Sequence, residues 1–263
     1  MRFVLSILDA CSMCKTILTA CLLLLASPAF ASDTDSGEWA SPTLTNLVHT
    51  LFRYGALDLN DDRIIDDYAK ITECELVIKF YHNDFKWNKV RAAVRQSMHM
   101  NMKTYPSAFY YVTRVQLGRY DFKGHMFLFD EGTKLQGVNS FQLTDQRVPC
   151  GRENLTVIPT DYHLIIDVPV TLLGLPLSEK DAEALLDRMD LNDDKDRVIY
   201  AQFNLRVVHI APMHKVMGSD QKIYYTQQLM ANNLSMRINA QLDTIEFFED
   251  KDRTHLIYTY NAP

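Results

Sequence analysis

Oxygen-bearing side chains at alternate positions are the first feature with chemistry in them. Asp190, Asn192, Asp194 and Asp196 occupy every second position, the spacing at which a calcium loop presents carboxylate and carboxamide oxygens to a hard cation. The pattern is incomplete. Lys195 stands at the sixth position, where the sharp turn wants Gly, and Ala201 at the twelfth, where a bidentate Glu belongs. Asp58, Asn60 and Asp62 begin the same pattern and fail it in the same way, with Arg63 and Ala69. Calcium at Asp190, Asn192, Asp194 and Asp196 is the only cofactor carried forward. The plainer reading is a polar turn leaving a helix at Asp190, and an Asp-stabilised helix start at Asp58.

Soft ligands offer a second possibility. Met98, His99, Met100 and Met102, with Met213, His214 and Met217, are thioether and imidazole groups of the kind that bind Cu(I). On a helix, however, Met98 and Met102 share a face from which Met100 points away, and Met fills ordinary cores. Covalent catalysis has little support. No G-x-S-x-G, H-E-x-x-H, Walker A or G-x-G-x-x-G occurs. Cys150 and His163 can be drawn as nucleophile and base, but a disulfide competes for the cysteine.

That competition depends on the compartment. Lys15 precedes an uncharged apolar run from Thr16 to Ala26, and Ala29-Phe30-Ala31 supplies the small-x-small pattern of a signal cleavage site. Eleven residues fall short of the about 20 needed to span a bilayer. The expected cut lies between Ala31 and Ser32, and Met13 makes a tidier start than Met1. A lipobox-like Leu18-Thr19-Ala20-Cys21 offers the alternative of a lipoprotein anchored through Cys21. Cys11, Cys14 and Cys21 leave with the signal, so Cys74 and Cys150 are the expected disulfide of a periplasmic or extracellular protein.

Composition narrows the partners. The 263-residue chain has a net charge of −6, and without residues 1–31, which hold Arg2, Lys15 and Asp9, it is −7. That balance argues against nucleic acid, and against an anionic lipid surface as the main partner. With 47% hydrophobic and 23% charged residues the chain is not disordered.

Residues 32–42 are small, polar and acidic and read as a flexible leader. Residues 43–263 are expected to form one domain, helical over 43–103 and sheet over 107–260. Thr43 or Thr45 caps a helix with Leu44, Leu47, Val48, Leu51 and Phe52 on one face. A second helix carries a stripe from Ile64 through Ile71 to Tyr81. A third sets Trp87, Val90, Val94 and Met98 together. After Pro106 the period becomes two, with strands at Phe109–Leu117, Asp121–Phe129, near Phe141, at Asp161–Val170, from Val198, and in two or three runs between Ile223 and Tyr260. Ser178 caps one inserted helix whose Ala182, Leu185, Leu186 and Met189 face inward. The matching Asp58–Asp62 and Asp190–Asp194 pentapeptides lie in regions of different period and read as shared turn chemistry, not duplication.

The hexapeptide Leu117-Gly118-Arg119-Tyr120-Asp121-Phe122, the LPLSEKDAEALL segment from Leu175 and the run Arg197-Val198-Ile199-Tyr200-Ala201 resemble an uncharacterised family of exported bacterial proteins of unknown function. The resemblance implies bacterial origin and export and brings no catalytic residues.

The expected fold is therefore α+β: an N-terminal helical layer packed on a mainly antiparallel β-sheet with one inserted helix. The expected role is non-enzymatic, binding a protein or other envelope component or serving a structural role. It rests partly on strand tyrosines (Tyr110, Tyr111, Tyr224, Tyr225, Tyr258, Tyr260). An exported hydrolase with an unrecognised site is the alternative.

Overall fold

Short polar caps set the helix boundaries. In the computed structural model, which describes residues 39–143, 155–191, 197–217, 223–227 and 235–263, the Thr43 hydroxyl accepts from the Asn46 amide at 3.3 Å and opens α1 (Leu44–Arg53). Leu44, Leu47, Val48, Leu51 and Phe52 are buried. Gly55, at φ 68°, takes the left-handed conformation that follows the helix end. The Asp61 carboxylate accepts from the Arg63 amide at 3.0 Å and opens α2 (Asp62–Thr72), so the Asp58–Asp62 segment is a helix start.

The single helix expected through Tyr81 is broken. Glu73 leaves helical space at φ −122°, ψ 49°, and α3 (Cys74–Phe80) begins anew. The break follows from a change of packing partner. Ile64, Ile65, Tyr68 and Ile71 enter the main core, whereas Val77 joins Ala69 and Trp87 in a separate small cluster. One straight stripe cannot face both. Asn83 caps α4 (Asp84–Asn101), which buries Trp87, Val94 and Met98.

The sheet follows from the change of period after Pro106. Its strands are β1 (Ala108–Asp121), β2 (Met126–Phe129), β3 (Ser140–Leu143), β4 (Asp161–Ile166), β5 (Gly174–Pro176), β6 (Val198–His209), β9 (Ser235–Phe248) and β10 (Leu256–Asn261). Their order is β3-β4-β9-β6-β1-β2-β5, with β10 also on β9. β4 and β9 run parallel, and the other strand pairs of this sheet are antiparallel. β7 (His214–Met217) and β8 (Ile223–Thr226) make a separate two-stranded ribbon. The inserted helix, α5 (Glu179–Leu191), starts where expected, with the Ser178 hydroxyl accepting from the Asp181 amide at 3.2 Å. The molecule is thus α+β with its helices mainly N-terminal, as the periodicity predicts.

Two details escape the periodicity. β9 is one strand where two runs were expected, because Asp243 is an extra residue between Leu242, opposite Leu205, and Thr244, opposite Asn204. This bulge shifts the buried set from Ala240 and Leu242 to Ile245 and Phe247. β5 has three residues, too few for any alternation to show. It approaches β2 so closely that a Cβ on Gly174 would lie 2.3 Å from the Phe127 carbonyl oxygen.

The described residues form one compact unit. Phe109, Phe127, Phe203 and Phe247 from the sheet, Leu47, Leu51 and Ile65 from α1 and α2, and Leu185 from α5 share one buried cluster.

Candidate functional site

The other face of the central strands carries the arrangement best suited to meet a partner. Strand alternation turns Ile199, Ala201, Phe203, Leu205 and Val207 inward and sends Tyr200, Gln202, Asn204 and Arg206 to the opposite face, where Arg206 is exposed, Tyr200 half-buried, and Gln202 and Asn204 are buried beneath their neighbours. The register then sets Tyr110 of β1 beside Asn204, and Thr244 and Glu246 of β9 beside Asn204 and Gln202. A polar ladder results. The Gln202 amide donates to Asn204 Oδ1 (2.8 Å) and Glu246 Oε2 (3.1 Å), and the Asn204 amide donates to Thr244 Oγ1 (2.9 Å).

Arginines and aromatic rings complete this face. From the β9–β10 turn, the Arg253 guanidinium donates to Gln202 Oε1 and lies 4.5 Å from the centre of the Tyr110 ring. Arg253 has φ 60°, a left-handed conformation seldom adopted by residues other than glycine. The turn is braced by Asp250, whose carboxylate accepts from the Thr254 and His255 amides at 2.8 to 3.1 Å. Desolvation raises the Asp250 pKa, but hydrogen bonds from Thr254 and His255 outweigh it and hold the carboxyl down at about 2. At the other end of the face, Arg206 lies 5.1 Å from the Trp39 ring centre and donates to Asp243 at 2.7 and 3.0 Å. Arg114 and Gln116 of β1 are exposed on the same side. Planar cations over aromatic rings beside amides provide stacking and directional hydrogen bonding together.

Among the described residues, three polar clusters join the helices to one another and to their neighbours. The carboxylate of fully buried Asp67 accepts from the amides of Thr156 (2.7 Å), Val157 (2.6 Å) and Ile158 (3.1 Å) and lies 3.5 Å from the Lys70 ammonium. Successive amides converging on one oxygen form an anion-binding concavity, here filled by the protein's own side chain. Asp66 accepts from Trp87 Nε1 (2.8 Å) and from Arg91 Nε (2.6 Å), joining α2 to α4, while Asp62 pairs with Arg91 and Arg95. His49 Nε2 meets the Tyr68 hydroxyl at 2.9 Å and its ring stacks on Tyr105 at 4.0 Å. Burial lowers the His49 pKa to about 4 and raises that of Tyr68.

The Tyr162 hydroxyl is buried with no hydrogen-bond partner among the described residues. Burial pushes its pKa up. A buried hydroxyl without a partner costs free energy that Phe does not. Tyr162→Phe is therefore expected to be neutral or more stable than the parent, by up to about 1 kcal/mol, in a urea melt. A loss of more than about 1 kcal/mol would show that the hydroxyl is satisfied in solution.

The residues singled out in the sequence scatter. Asp190 lies in the last turn of α5, while Asn192, Asp194 and Asp196 are outside the described residues. Asp58 accepts from the Asn60 amide at 2.9 Å as a turn residue. Among the described residues no group of three or more His, Cys, Asp or Glu is placed to hold a metal ion. Met98 is buried and Met100 is 67% exposed, so α4 separates the thioethers. Cys74 opens α3, and Cys150 lies outside the described residues, as do Cys21, Ala31 and Ser32. His163 sits in β4 opposite Gln142. The tyrosines do not share a face. Tyr110 points outward, whereas Tyr111, Tyr258 and Tyr260 pack against the core.

Trp39 and Ala40, read as part of a flexible leader, are placed on the sheet. Ala40 bridges Phe109, its amide donating to the Ala108 carbonyl at 3.0 Å. A tryptophan in a polar segment was the available signal. His125 and Glu179, 3.9 Å apart, border a shallow open hollow with Pro176, Leu177 and Ser178.

Residues 60–188, from the start of α2 into α5, match the family model described as a domain of unknown function (DUF4852). Over that stretch the chain is similar to an uncharacterised family, as the resemblance implied. No curated protein and no solved structure matches the chain. Among the described residues no helix is long and apolar enough to cross a membrane.

Proposed function

We propose that the protein is exported and, without catalysing a reaction, holds another envelope component against the outer face of strands β1, β6 and β9. The observation that carries this reading is Arg253. A residue in a disfavoured backbone conformation delivers its guanidinium onto Tyr110 and the Gln202 amide, and such strain persists where the surrounding structure enforces it. The leader, with Lys15, the apolar run and Ala29-Phe30-Ala31, supports export and a cut before Ser32. In an oxidising compartment the bridge proposed for Cys74 is with Cys150. Lipidation at Cys21 remains the anchored version of the same reading.

Fractionation and crosslinking test both halves. The form recovered from the periplasm or medium should begin at Ser32, with neither Cys74 nor Cys150 labelled by a thiol reagent before reduction. A photocrosslinking residue at position 114 should trap an envelope component, and Tyr110→Ala with Arg253→Ala should abolish the adduct. A chain found only in the cytosol with residues 13–31 attached overturns export. Equal crosslinking from position 114 and from position 96 on α4 overturns the sheet face.

A further inference from the structure

A second surface, distant in sequence from the sheet strands, has a different composition. Phe85 at the start of α4 is 88% exposed and Ile78 near the end of α3 is 82% exposed, although large apolar side chains are ordinarily withdrawn from water. They flank a turn that is firmly seated. Val77 and Trp87 are buried with Ala69, and Tyr81 packs edge-on against Trp87 at 5.1 Å. The exposure of Ile78 and Phe85 therefore belongs to a fixed element. Adjacent to them in sequence, Lys79 and Lys86 hold their ammonium groups 5.3 and 5.7 Å from the centre of the Phe80 ring. Residues 78–89 hold Lys79, Lys86 and Lys89 against Asp84 alone, a net charge of +2 in a chain of −6.

We infer that the α3–α4 turn docks on an anionic lipid surface, with Ile78 and Phe85 entering the boundary between headgroups and acyl chains. The three lysines lie at the level of the phosphates. Their local sign is opposite to that of the chain as a whole, so the acidic total does not describe this element. The composition separates a bilayer from a protein partner. Protein interfaces are depleted in Lys and enriched in Arg, Tyr and Trp, whereas exposed Phe and Ile among lysines is the make-up of interfacial membrane contacts. Lysine suits that position because its apolar stem can follow Phe and Ile inward while the ammonium stays among phosphates.

Vesicle binding by the full chain tests the inference through site-specific readouts. Phe85→Trp should shift its added emission to the blue with phosphatidylglycerol vesicles and be quenched by brominated lipid, and phosphatidylcholine vesicles should do neither. Ile78→Ser with Phe85→Ser should weaken partitioning at least about tenfold. Lys79→Glu, Lys86→Glu and Lys89→Glu together should weaken it about a hundredfold and remove its salt dependence. All five side chains lie outside the core, and unchanged melting temperatures will confirm that the variants fold. Unaltered Phe85→Trp emission with phosphatidylglycerol, or equal partitioning of parent and variants, overturns the inference. So does self-association of the parent that the serine variant abolishes while vesicle binding persists, which would assign the surface to a second copy.

Discussion

Asp67→Ala is expected to destabilise the protein by about 3–5 kcal/mol, the range measured when one partner of a buried ion pair is removed. The cost has two parts. The substitution leaves the amides of Thr156, Val157 and Ile158 without the carboxylate they share, and takes from the Lys70 ammonium, itself 5% exposed, its neighbour at 3.5 Å. Water cannot replace the carboxylate without opening the contact between α2 and residues 156–158, because Asp67, Val157 and Ile158 are all buried. For a chain of this size the melting temperature should fall by roughly 10 °C. Asp67→Asn keeps an oxygen able to accept from the amides but gives up the charge, and should cost about 2 kcal/mol. Glu75→Ala, at an exposed position on α3, should stay within about 0.5 kcal/mol of the parent. Denaturant unfolding of the three variants decides the matter. An Asp67→Ala protein within about 1 kcal/mol of the parent would mean that residues 156–158 are held by other contacts.

This carboxylate also shows how far the sequence could be read. Asp67 is three residues after Ile64 and four before Ile71, so its position on the buried stripe follows from helical spacing. What hides it is chemistry: an acid is assigned to solvent by default, and the amides that donate to it come from a segment about 90 residues away. Elements whose cause is local were legible. The caps at Thr43 and Ser178, the inward face of α5 and the alternation of β6 all emerge as the pattern predicts. Elements whose cause is remote were not. The helix break at Glu73 depends on a second cluster around Trp87, and β5 depends on the open backbone of β2. The outer face is a mixed case. Alternation sends Gln202, Asn204 and Arg206 to the side opposite the core, yet nothing local shows that Arg253 reaches back to Gln202 or that Trp39 lies against Arg206. The same alternation separates Tyr110 from Tyr111, so a count of strand tyrosines overstated the aromatic surface.

His49 gives the second large effect, and its sign follows from the direction of its shift. An unfolded histidine takes up a proton near pH 6.5, whereas burial between Tyr68 and Tyr105 holds the folded one to about 4. Above pH 6.5 both states are neutral at this site and it contributes no pH dependence. Between pH 6.5 and 4 the unfolded chain binds a proton that the folded chain refuses, so stability falls as the pH falls, by about 3 kcal/mol over the window. Tyr68 and Tyr105 are raised and stay protonated throughout. Glu73 acts in the opposite sense. Desolvation raises its pKa, so its folded form takes up a proton sooner than its unfolded form and offsets part of the loss. His49→Gln separates the two contributions, since an amide can meet the Tyr68 hydroxyl and does not titrate. Unfolding free energies of the parent and His49→Gln should diverge progressively below pH 6.5, with the variant losing less. Parallel curves would show that His49 protonates in the folded state as readily as in the unfolded chain, and that the pocket formed by Tyr68 and Tyr105 opens to water.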